Sequence, residues 1–104
     1  MADTHIVLMN TRADHSDQTF ATLRVDINGA CSDNGGQLLS LHWTLGAYDA
    51  VAVVELDSAL MFAFAREIGA HLADIVVMRA FDDAAAAAAL DRWSGPTPDT
   101  GHRG

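Results

Sequence analysis

Ser40, His42 and Thr44 alternate along one short stretch, and Asp49 follows five residues later. Alternation sends positions 40, 42 and 44 to one face of a strand. An imidazole titrates close to physiological pH, so it can take or give a proton. A carboxylate diagonal to it across a hairpin can hold the ring in one orientation. His42 is therefore the candidate general acid/base, and Asp49 its candidate orienter. Ser40, Thr44 and Tyr48 offer hydroxyls for ligand contacts. Arg79 offers a guanidinium that can grip a ligand carboxylate in bidentate fashion. Each residue also has a purely structural reading. His42 can hydrogen-bond across an interface between copies. Tyr48 and Asp49 can shape a turn. Arg79, flanked by apolar residues, can pair with Asp49 or Glu55, because an unpaired buried charge is costly.

Other chemistry is poorly represented. The five histidines and single cysteine show neither His-x-x-x-His nor Cys-x-x-Cys spacing, so neither a metal site nor a cofactor is expected. Gly35-Gly36 lacks the lysine and helix of a phosphate loop. Cys31 has no adjacent base in sequence and reads as a packing residue. The formal charge is −8, and all six basic residues are arginine. Nucleic acid is an unsuitable partner, because no basic patch can neutralise phosphates. Anionic membrane surfaces are disfavoured for the same reason. No apolar run approaches the roughly 18 residues of a transmembrane helix. Met1 to His5 lacks the basic start of a secretory signal. A lone cysteine forms no disulfide within the chain. These features point to cytoplasmic residence.

The elements that must position these residues follow from periodicity. The 104 residues suit one domain with one core, expected over 1–93, followed by a disordered tail over 94–104 that holds both prolines. Thr4 to Asn10 is β-rich and apolar, a first strand. Thr11 to Ser16 reads as a loop, with Ser16 or Asp17 capping a helix. Phe20, Leu23, Ile27 and Cys31 then share one helical face. Asn34-Gly35-Gly36 ends that helix. Strands follow over 37–45 and 48–56, joined through Gly46-Ala47. Asp57 or Ser58 caps a second helix that buries Leu60, Met61, Phe64, Ile68 and Leu72. Residues 74–81 form the fourth strand. Asp82-Asp83 open an alanine-rich helix ending near Trp93, with their carboxylates at its positive end.

The order β-α-β-β-α-β with an added C-terminal helix is the ferredoxin-like plan, an α+β fold. Two helices cover one face of a four-stranded antiparallel sheet, and the other face stays open. A two-residue turn at Gly46-Ala47 would pair Leu45 with Tyr48, Trp43 with Ala50 and His42 with Val51. Leu39, Leu41, Trp43, Leu45, Tyr48, Ala50, Ala52 and Val54 would then face the helices. Leu38, Ser40, His42, Thr44, Asp49, Val51, Val53 and Glu55 would share the open face. That mixed face suits a contact enclosing a partly polar cavity.

Ile6-Val7-Leu8-Met9, Gly35-Gly36, Trp43-Thr44-Leu45-Gly46-Ala47-Tyr48-Asp49 and Arg79-Ala80-Phe81 together resemble the GYD domain family. The matching pieces span about three quarters of the chain. His42 stands where an aromatic residue is more usual in that family. The resemblance implies a dimeric α+β barrel, two ferredoxin-like protomers packed sheet against sheet. It leaves the activity open, because this architecture serves monooxygenases, isomerases, cyclases and ligand sensors alike. The expected protein is a homodimer through its open face that binds a small molecule or acts as an accessory protein. The alternatives are a cofactor-independent enzyme using His42, and a purely structural dimerisation module.

Overall fold

The computed structural model describes residues 2–11 and 20–93. The chain runs β1 (Ala2–Thr11), α1 (Phe20–Asp33), β2 (Gln37–Trp43), β3 (Ala50–Asp57), a 3-10 turn (Ser58–Leu60), α2 (Met61–His71), β4 (Ala73–Arg79) and α3 (Asp83–Arg92). All strand pairings are antiparallel, and the sheet order is β2-β3-β1-β4. This is the ferredoxin-like arrangement, with α3 appended. The helix start expected at Ser16 or Asp17 and the tail over 94–104 lie outside the described residues.

The covered face is built by strict alternation. Val7 and Met9 of β1 and Ala50, Ala52, Val54 and Leu56 of β3 are all fully buried. Small residues at 50 and 52 let the helices approach. Helix α1 contributes Leu23, Ile27, Ala30 and Cys31, and α2 contributes Met61, Phe64 and Ile68. Phe20 is exposed, although its ring stacks on Trp43 at 4.6 Å between centroids. Leu60, expected in the core, falls in the 3-10 turn and is exposed.

The ends of the elements have local causes. Helix α1 closes in a Schellman motif: Gly36 N–H donates to Cys31 C=O at 2.9 Å and Gly35 N–H to Ser32 C=O at 3.0 Å. Gly35 takes φ +79°, a conformation that L side chains resist. The Asp57 carboxylate accepts from Ala59 N–H at 2.9 Å and caps the 3-10 turn. Asp82 does the same for α3, accepting from Ala85 N–H at 2.8 Å. No residue of α3 is buried.

Two features of the hairpin differ from the sequence expectation. The register His42↔Val51 and Trp43↔Ala50 holds, but the ladder stops there. Residues 44–49 form a longer loop, and Leu45 is fully exposed instead of facing the helices. The register also shifts between Leu38 and Ser40, where Leu39 forms a β-bulge. The extra residue inverts the alternation N-terminal to it. Leu38 therefore packs against the core, whereas Leu39 is exposed.

Candidate functional site

On the open face, Ser40 lies opposite Val53 and His42 opposite Val51. Pairing extends these rows across the sheet, Val51 to Leu8 to Val76 and Val53 to Ile6 to Met78. Six apolar side chains thus form one uncharged block at the centre of the face. Val76 and Met78 are exposed and the other four partly so. Polar groups stand at its margin. Gln37 donates to the Glu55 carboxylate at 3.2 Å, and His42 is exposed on the edge strand β2.

The remaining predicted residues divide between two other places. Thr44, Tyr48 and Asp49 brace the 44–49 loop. Thr44 N–H donates to Asp49 C=O at 2.8 Å, and its hydroxyl donates to Tyr48 C=O at 2.6 Å. Asp49 N–H donates to Met9 C=O at 2.9 Å. The Asp49 carboxylate accepts from both the N–H and the hydroxyl of Thr11, each at 2.9 Å. It thereby ties the loop to the end of β1. No hydrogen bond joins it to His42 among the described residues, so the orienting role has no geometric support here.

Arg79 sits on the opposite side of the sheet from His42. It registers against His5, whose parity is that of Val7 and Met9. Its ion pair is with Asp3 at 2.9 Å, not with Asp49 or Glu55. The reason is topological: Asp49 begins the approach to β3, Glu55 lies on the open face, and β1 separates β3 from β4. The guanidinium also lies over the Phe81 ring, 4.7 Å from its centroid.

Beside Arg79 is a cleft of about 370 Å³ between α2 and the β1–β4 pair. Met61, Phe62, Ala65 and Val77 provide apolar walls, and His5, Ser58 and Arg79 the polar groups. The Ser58 hydroxyl donates to Asp3 at 2.5 Å. That bond, helped by the Arg79 charge, holds the Asp3 carboxyl below the usual carboxylate range. His5 is 3% exposed, and its Nδ1 has no hydrogen-bond partner among the described residues. Burial, reinforced by the Arg79 charge, pulls its pKa below the ordinary histidine value. The ring is therefore neutral near pH 7. Leaving a buried polar atom unpaired costs about 1–3 kcal/mol.

Sequence reasoning missed His5. One signal was present: His5, Val7 and Met9 alternate, so a polar residue occupies a core-facing register. Nothing in the sequence shows that Asp3, Ser58 and Arg79 meet around it.

Among the described residues, no group of three or more His, Cys, Asp or Glu side chains could hold a metal ion, and no helix is long and apolar enough to cross a membrane. The fold is an α+β ferredoxin-like domain with an open sheet. No family model, curated protein or solved structure matches the chain.

Proposed function

We propose that this is a small-molecule-binding or accessory protein that assembles as a homodimer through its open sheet face. The observation that carries the reading is the uncharged apolar block of Ile6, Leu8, Val51, Val53, Val76 and Met78, with Ser40 and His42 at its margin. Contiguous exposed apolar surface of this kind marks an interaction site. A second copy is the occupant that fits. In a two-fold contact the same patch meets itself, and an uncharged patch does so without burying an unpaired charge. This matters for a chain of formal charge −8, whose copies otherwise repel. Pairing would close a second sheet over Ser40 and His42 and leave them in a partly dry setting suited to a ligand. The resemblance carried by Trp43 to Asp49 supports the same dimeric α+β barrel. The single cysteine, Cys31, is buried and suits cytoplasmic residence.

Binding is favoured over catalysis by His42, because the Asp49 carboxylate is engaged by Thr11. Light scattering at micromolar concentration should give twice the 11.1 kDa chain mass. Val53→Lys, which puts a charge into the block beside Ser40, should give the monomer with helix and strand content unchanged. A wild-type monomer throughout the micromolar range would overturn the proposal. A dimer packed with no space beside His42 would reduce the protein to a dimerisation module.

A further inference from the structure

A second site lies on the helix side of the sheet, away from the proposed interface. We propose that the cleft between α2 and β4 binds a small, neutral, apolar molecule carrying one hydroxyl, of the alkylphenol or alcohol class. Three observations specify this ligand.

The first is size and lining. A cleft of about 370 Å³ falls within the range of small-molecule pockets. At the roughly 30 Å³ that a water-sized atom occupies in a liquid, it holds about a dozen non-hydrogen atoms. Its walls are mostly apolar, and Phe62 beside it is 80% exposed and gains cover from an apolar ligand.

The second is the orphaned His5 Nδ1. The other polar groups of the cleft are already engaged: Ser58 donates to Asp3, and Arg79 pairs with Asp3. His5 Nδ1 is the buried side-chain polar atom left without a hydrogen-bond partner among the described residues, and a ligand hydroxyl reaches it with a small movement of the cleft wall. A hydroxyl both donates and accepts, so it pairs with Nδ1 in either tautomer.

The third is charge. The Arg79 cation at the cleft is matched by Asp3, so the pair presents no net charge to a ligand. A cationic ligand would meet Arg79. An anionic one would approach a chain of formal charge −8, with the Arg79 charge already matched. A neutral molecule meets neither penalty.

The test compares 4-propylphenol with propylbenzene, which have the same body with and without the hydroxyl. Binding is followed by titration calorimetry and by the ¹⁵N shift of His5 Nδ1. The phenol should bind about tenfold more tightly, the effect of one hydrogen bond, and should move the Nδ1 signal. His5→Leu should bring the two ligands to equal affinity. Ala65→Phe, which fills the cleft while leaving the His5 side chain in place, should abolish binding of both. Val53→Lys should bind the phenol as wild type does, whatever its oligomeric state, which separates this proposal from that of the open face. Equal affinity of the two ligands for wild type, an unmoved Nδ1 signal, or binding that survives Ala65→Phe would each overturn the inference.

Discussion

Asp49→Ala decides whether this carboxylate is a brace or a partner of His42. The wild-type side chain accepts two hydrogen bonds from Thr11, both at 2.9 Å. Bonds to a charged acceptor contribute about 1.5–3 kcal/mol each when shielded. Both groups here are reached by water, which reduces the pair to about 1 kcal/mol in total. The main-chain bonds of Asp49 to Met9 and Thr44 survive the substitution, so the loop should loosen without unfolding. A loss of about 1 kcal/mol lowers the melting temperature of a domain this size by roughly 4–8 °C. In urea, with a slope of about 1–3 kcal/mol per molar, the midpoint should fall by roughly 0.5 M. Asp49→Asn keeps an acceptor without the charge and should lose about half as much. Thr11→Val combined with Asp49→Ala should be no worse than Asp49→Ala alone, because the two residues share one interaction. The Thr11 amide should exchange faster with solvent. An unchanged midpoint and unchanged Thr11 exchange, together with a chemical-shift change centred on the His42 ring, would refute the brace and restore the catalytic pairing.

Three further outcomes follow from the structure. A Cβ at Gly36 would run into the Glu55 carbonyl and the Leu56 side chain, so Gly36→Ala should cost about 3 kcal/mol or more in a urea melt; a loss below about 1 kcal/mol would contradict this geometry. His5 is held neutral when folded, whereas the unfolded chain takes up its proton below about pH 6.5. The unfolded state then binds more protons, so this stability is complete above that pH and is lost as pH falls from there towards the depressed folded value. His5→Leu should flatten that part of the profile, and parallel wild-type and variant curves would argue against the assignment. Cys31 is fully buried and its thiol is pushed up to about 11, so a thiol reagent should label it only as fast as the protein unfolds; rapid labelling of the native protein would show an opening absent from this structure.

The sequence carries the local features well. Asp82 and the Asn34-Gly35-Gly36 run each act through neighbours a few positions away and mark the ends they suggest, whereas Asp57 caps the 3-10 turn ahead of α2 and not the helix itself. The pairs His42↔Val51 and Trp43↔Ala50 follow from centring the turn on Gly46-Ala47. The bulge at Leu39 does not, because either Leu38 or Leu39 can satisfy the apolar pattern. The partner of Arg79 was likewise hidden. Charge argues for an acid near it, but only the sheet order decides that the acid is Asp3. The orphaned His5 nitrogen is further still from the sequence, since it depends on four elements meeting.

The central place of β1 has a consequence for how the chain assembles. The strand made first is bonded on both sides, by β3 and by β4. Among the described strands neither partner exists before β3 has been made, and the second edge of β1 stays open until β4 arrives. Meanwhile β2 and β3 can form a hairpin from local contacts, which is the faster event. The apolar run Ile6-Val7-Leu8-Met9 is therefore an unprotected edge in a growing chain, open to pairing with another molecule. The Asp3–Arg79 ion pair spans 76 positions, so the cleft beside it exists only once the last strand has docked. A compound bound there acts on the finished fold and no earlier species, and it lowers the population of every form in which β1 stands open.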